Sequence, residues 1–220
     1  MDTRKYLAEL VGTFLFMTIG YASVAALGVE QIPGLLVVPF SFGFGLLAAI
    51  FAVGHISGGH FNPAVTVAAV LDRRTETTDA IGYILAQVIG AIAAAAIVFV
   101  VAGQGAVAAG VTKPGAGVTD IGALILEIVL TAGFVLVILV STKRAPGLAP
   151  LAIPLTLVAI HFASATLSGA SVNPARSIGS ALLGADLAAL WIYIVGPVVG
   201  AIGGWAVYRF LDADEEVLAT

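Results

Sequence analysis

Six stretches of this chain, residues 7–28, 35–54, 80–102, 120–141, 149–167 and 188–211, are almost wholly apolar. Each has about the length a helix needs to cross a bilayer, roughly 20 residues at 1.5 Å apiece. In hydrocarbon every backbone N–H and C=O must be satisfied within the protein, so a spanning chain is restricted to helices or a closed barrel. The runs lack the alternation of barrel strands, which predicts an all-α membrane protein with six transmembrane helices. Composition agrees: 10% of the 220 residues are charged, against about 25% in soluble domains. Arg4 and Lys5 ahead of an apolar run resemble the start of a secretory leader. The run from Leu7 to about Leu27 is too long for that and contains Glu9, so it reads as the first span. No cysteine is present, which excludes disulfides, thiol chemistry and any pore thiol for a mercurial to block.

Between the spans lie two short, similar stretches, SGGHFNPAV at 57–65 and SGASVNPAR at 168–176. In each, Asn is a preferred helix N-cap and Pro suits the first helical position, so Pro63–Leu71 and Pro174–Leu183 are expected to be helices. At about 14 to 15 Å they cover half of a 30 Å hydrocarbon layer. They are half-helices.

The likeness extends further. Asn62 and Asn173 are 111 residues apart, as are Ser57 and Ser168 and also Pro39 and Pro150. Tyr83-Ile84 through Gly90-Ala91-Ile92 recurs at an offset of 110, and Glu9 and Thr13 reappear at an offset of 118 as Glu127 and Thr131. Each half reads span, span, half-helix, span, giving one domain over 1–220 with repeats at about 5–102 and 119–211. Three full spans per half is an odd number, so the second half must lie inverted.

Arg4, Lys5, Arg73, Arg74, Lys143, Arg144 and Arg209 fall at four places that share one side if six spans alternate. By the positive-inside rule that side is the cytoplasm, with both termini in it. Lys113 lies in the glycine-rich stretch GQGAVAAGVTKPGAG, read as a loop across the outer face. Asp212, Asp214, Glu215 and Glu216 form an acidic tail, read as solvated.

One half-helix therefore enters from each side, and the two N-termini meet near the midplane. Each carries about half a positive charge, which disfavours cations and hydrated protons there. Asn62 and Asn173 can cap their helices and still offer NH₂ donors to a pore. Ala64 and Ala175 are small enough for the two loops to touch. Non-helical backbone at membrane depth is tolerated only in a protein interior or a watery cavity. Gly58, Gly59, His60 and Phe61, with Gly169, Ala170 and Ser171, are therefore expected to present a ladder of carbonyls.

Arg176, on the first turn of the second half-helix, marks a pathway, because a cation at membrane depth costs about 3 kcal/mol or more unless it finds water or acceptors. His161 and Phe42 are open to two readings, ordinary span packing or a part in that pathway. His55 and His60 have a spacing that metal ligands could use, but no Cys or carboxylate partner lies near, and a hydrogen-bonded structural role is the better reading. Small residues every four positions, at Gly82, Ala86, Gly90 and Ala94 and again at Gly196, Gly200 and Gly204, let helices approach closely.

Two Asn-Pro-Ala motifs in inverted halves, Gly-His-Ile-Ser-Gly-Gly-His before the first and Arg three residues after the second Asn resemble the aquaporin family, over Glu9 to Arg209. The resemblance implies a passive water channel of the cell membrane, an aquaporin-like right-handed bundle and a homotetramer. It implies no cofactor, metal or nucleic acid, and no enzyme activity. It places Phe42, His161, Ala170 and Arg176 at the four positions of the aromatic/arginine constriction, and gives Glu9 and Glu127 the support of the half-helix loops. Glycerol-conducting relatives typically carry Trp, Gly and Phe at the positions of Phe42, His161 and Ala170, and this chain has none of them. Ala170 also departs from the Cys or Thr common in water channels, which leaves exclusion of urea and ammonia open. The alternatives are a glycerol or small-solute facilitator and a secondary transporter that would have to use Glu9 or Glu127.

Overall fold

A computed structural model describes residues 3–28 and 32–218, with side chains described as far as Asp212. The helices are α1 (Arg4–Leu27), α2 (Ile32–Ala49), α3 (His55–Ser57), α4 (Pro63–Leu71), α5 (Thr77–Ala102), α6 (Gln104–Ala108), α7 (Asp120–Arg144), α8 (Ala149–Ser164), α9 (Pro174–Gly184) and α10 (Leu190–Leu218). No strand occurs among the described residues. A π-helical turn at Ile50–Gly54 joins α2 to α3, making one apolar helix over Ile32–Ser57.

Among the described residues, five helices are long and apolar enough to span a bilayer. The sixth, α8, has only 16 residues, about 24 Å of rise. Its hydrogen bonding runs on at both ends, from Ala149 N to Ala145 O and from Ser168 N to Ser164 O, so the turns that flank it complete the crossing.

The two halves repeat one packing scheme. In the first, α5 lies against α1, and a Cβ at Gly90 would sit 2.5 Å from the Leu10 carbonyl oxygen. In the second, α10 lies against α7, and a Cβ at Gly200 would sit 2.4 Å from the Ile128 carbonyl oxygen. Only a residue without a side chain permits either approach.

Polar anchors gather on one face, hereafter the terminal face. Lys5 at the start of α1 pairs with Asp79 at the start of α5. Lys143 and Arg144 at the end of α7 pair with Asp212 of α10 at 2.5 and 2.9 Å. Asp212 is thus buried and anchored and is no part of a solvated tail. The side chains of Asp214, Glu215 and Glu216 lie outside the description. Arg74 donates to Asp72, to the Thr142 hydroxyl and to the Leu139 carbonyl, tying the end of α4 to α7.

The glycine-rich stretch does more than cross the far face. It forms α6 and then turns inward, burying Val107, Val111 and Thr112. Thr112 donates to the Ser177 hydroxyl of α9 at 2.7 Å, and Gly115 N donates to Leu167 O at 2.8 Å.

Candidate functional site

At the middle of the bundle the N-termini of α4 and α9 face each other. Asn62 and Asn173 have extended backbones, with φ of −158° and −151°, and each is followed by Pro at the first helical position. The Asn62 side-chain oxygen accepts from Ala64 N at 2.9 Å; that of Asn173 accepts from Ala175 N at 3.0 Å and Arg176 N at 3.4 Å. The amide nitrogens then reach across. Asn62 Nδ2 donates to Val172 O at 2.8 Å and Asn173 Nδ2 to Phe61 O at 2.9 Å. An amide nitrogen carries two hydrogens, so each Asn keeps one beyond the crossing bond. Ala64 and Ala175 are fully buried beside it.

Two carboxylates hold the loops. Glu9 Oε1 accepts from Ser57 Oγ at 2.6 Å and His60 N at 2.9 Å, and its Oε2 accepts from Phe61 N and Gln87 Nε2, both at 2.7 Å. Glu127 does the same for the second loop, accepting from Ser168 Oγ at 2.8 Å, Ser171 N at 3.0 Å and Val172 N at 2.7 Å. Phe61, Ala170 and Val172 have φ of 48°, 48° and 44°, a left-handed backbone that L side chains resist. The strain of about 1–3 kcal/mol per such residue persists where surrounding bonds over-determine the loop. Bonds from the loop N–H groups to two buried carboxylates are bonds of that kind.

With those N–H groups taken, the carbonyls of Gly58, Gly59, His60, Gly169, Ala170 and Ser171 accept nothing from the described residues. Gly58, Gly59, His60 and Ser171 line a cavity of about 330 Å³ that reaches the terminal face at Arg74. Gly169 lines a second cavity, of about 710 Å³, that reaches the far face at Lys113. Phe61 departs from the expected ladder, because its carbonyl is occupied by Asn173 Nδ2 and the residue lines neither cavity. Ala170 is fully buried and also lines neither, although its neighbours Gly169 and Ser171 each line one.

The two cavities share only His161 and Arg176 among their described linings, so these two side chains stand at the waist. Phe42, in the wall of the first cavity, stacks on His161 with ring centroids 4.6 Å apart and planes 22° apart. The Arg176 guanidinium carbon lies 5.4 Å from the centroid of the same Phe42 ring. His161 Nδ1 lies 3.0 Å from the Leu157 carbonyl, an acceptor, so Nδ1 carries a hydrogen and the neutral ring presents Nε2 as an acceptor. Neither His161 Nε2 nor Arg176 Nε has a partner among the described residues. Donors and acceptors at the waist are thus left for whatever passes.

Several supporting groups had no expectation attached to them. Arg176 Nη1 donates to Gly110 O at 3.0 Å, and the Tyr21 hydroxyl donates to Arg176 O. Gln87 Nε2 donates to Thr66 Oγ1 at 2.9 Å, and Thr66 Oγ1 in turn donates to Asn62 O at 3.0 Å. The available signals were a polar Gln87 inside an apolar span and the need of Arg176 for acceptors.

Comparison with known proteins identifies the family and the fold. Aquaporin Z of Photorhabdus laumondii is 43% identical over 97% of this chain and 99% of that protein. A glycerol uptake facilitator protein-like 6 of Lactiplantibacillus plantarum is 44% identical over 90% of this chain and 94% of that one. The X-ray structure of the aquaglyceroporin from Plasmodium falciparum shares the fold, with a TM-score of 0.85 over 94% of this chain and 96% of that chain at 23% identity. Since the family model for the major intrinsic proteins also matches residues 1–208, this chain is an integral membrane channel that belongs to the major intrinsic protein family.

Proposed function

We propose that this channel is selective for water. The observation that carries the reading is the waist, where the two cavities share only His161 and Arg176 among their described linings, Phe42 stacks on His161 and Arg176 faces the same ring, so that one bare acceptor stands beside one cation. Pore diameter, lining donors and acceptors, and an Arg or half-helix dipoles are the recognised determinants in aquaporin-type pores. Phe42, His161 and Arg176 form the ring; the family resemblance assigns Ala170 its fourth position, although Ala170 lines neither cavity. Water passing the ring meets free carbonyls of the loops and, at the centre, the remaining hydrogens of Asn62 and Asn173. A water that donates to the loop carbonyls on both sides of the centre and accepts from the asparagines has no continuous chain along which to hand a proton. The two helix N-termini oppose the proton electrostatically at the same point. Glu9 and Glu127 act as supports, since their oxygens are taken up by loop donors, which removes them as coupling groups of a transporter.

Facilitation of glycerol is the second reading, favoured by the 44% identity to a protein named for glycerol uptake. Against it stands the pair Phe42 and His161, two stacked rings that add bulk at the waist. We assign the terminal face to the cytoplasm, because the basic residues collected there satisfy the positive-inside rule, and the cell membrane as the location. A homotetramer is expected from the family resemblance alone.

Reconstitution in liposomes tests the reading. Under a sucrose gradient, stopped-flow light scattering should record shrinkage well above that of bare vesicles, while an imposed pH gradient decays at the bare-lipid rate. A pH gradient that collapses with the water flux would contradict the electropositive crossing.

A further inference from the structure

At the terminal face, the end of α4 meets α10 across a cavity of about 220 Å³ lined by Leu71, Asp72, Arg73, Trp205 and Arg209. On the other flank of α4, a groove of about 240 Å³ against α5 is lined chiefly by Val67, Val70, Leu71, Ile81 and Ile84. Leu71 belongs to both walls, so a basic pocket opens onto an apolar groove.

The basic residues differ from their neighbour. Arg74 is engaged by Asp72, Thr142 and Leu139, whereas Arg73 and Arg209 have no hydrogen bond or ion pair among the described residues. Arg73 has φ of 58°, a left-handed turn just past the helix end. The one carboxylate among the described lining residues, Asp72, lies 2.6 Å from Arg74 Nε, so no described carboxylate pairs with Arg73 or Arg209. The indole N–H of Trp205 is buried and also lacks an acceptor among the described residues. Next to Arg209, Phe210 is 74% exposed, so apolar surface adjoins the pocket.

Planar guanidinium groups recognise phosphate with paired hydrogen bonds, and basic pockets between transmembrane helices on the cytoplasmic side hold anionic head groups. We propose that this seam binds an anionic phospholipid, with its phosphodiester between Arg73 and Arg209 and an acyl chain along the groove between α4 and α5. A free phosphate shares the head-group chemistry but has nothing to place in the groove.

Titration of the purified full chain in detergent, read by native mass spectrometry, tests this with phosphatidylglycerol, phosphatidylcholine and inorganic phosphate as probes. Phosphatidylglycerol should bind about 25-fold more tightly than phosphatidylcholine, the effect of two interfacial charges at about 1 kcal/mol each. The variant R73Q/R209Q should bind the two lipids alike, and K113Q, at the far face, should retain the preference. Ile81→Trp, which fills the groove, should weaken phosphatidylglycerol binding. Unaltered water flux through R73Q/R209Q in liposomes would show that its fold is intact. An unchanged phosphatidylglycerol preference in R73Q/R209Q would overturn the site, and displacement of the lipid by equimolar inorganic phosphate would overturn the lipid as its occupant.

Discussion

The two Asn-Pro-Ala loops are built alike up to the midplane and differently beyond it. In both, a buried glutamate gathers a serine hydroxyl and two loop N–H groups, an asparagine caps its half-helix, and its amide crosses to the other loop. After the first motif comes Val65, in the wall of the cavity that opens to the terminal face. After the second comes Arg176, held by Gly110 from the stretch after α6 and by Tyr21 from α1, and faced by Phe42 and His161. The likeness means that the centre is set by symmetric parts and should discriminate by charge. On the proposed reading, the difference places discrimination by size on one side only, at residues drawn from α1, α2, α8 and the stretch after α6.

The largest effect should come from breaking the shared part. Glu9→Ala and Glu127→Ala each strip several buried donors of their acceptor, at about 1–3 kcal/mol per unsatisfied group. Both should lose most folded channel, read as yield and thermal unfolding in detergent. If one variant were tolerated and the other not, the loops would not be equivalent. Next is the unshared part. His161→Gly with Phe42→Trp should raise glycerol permeability by roughly tenfold or more, the scale on which one side chain in a pocket discriminates. Glycerol flux that stays at the bare-lipid background would remove the ring from the account. Tyr21→Phe deletes one hydrogen bond to the backbone of Arg176 and should lower stability by about 1 kcal/mol. No matching loss is expected from a comparable change near Val65, because no hydroxyl holds that backbone. Asp212→Asn breaks partly exposed ion pairs with Lys143 and Arg144 and should shift stability by no more than about 1 kcal/mol, with water flux unchanged.

What could be read in the sequence follows the same division. The six spans, the two half-helices and their inversion are written in local signals, namely apolar runs, an Asn-Pro start and an odd count of spans per half. Glu9 and Glu127 stand out because a carboxylate in an apolar run needs donors. The clasp on Arg176 was not legible, because the Gly110 carbonyl carries no side-chain signature and its stretch looks like an ordinary glycine-rich loop. Phe61 misled for a related reason, since its backbone oxygen is claimed by an amide 112 residues away. Asp212 was grouped with the acidic residues that follow it, although the cations that bury it lie at the end of α7.

The central claim is that the one-sided ring admits water and turns away a three-carbon polyol. Osmotic water permeability and glycerol permeability of the unaltered protein, measured by stopped-flow light scattering in the same liposome preparation, test it most directly. Rapid shrinkage is expected under sucrose and, under glycerol, shrinkage followed by re-swelling no faster than in protein-free vesicles. Re-swelling in glycerol on the time scale of the water flux would contradict it.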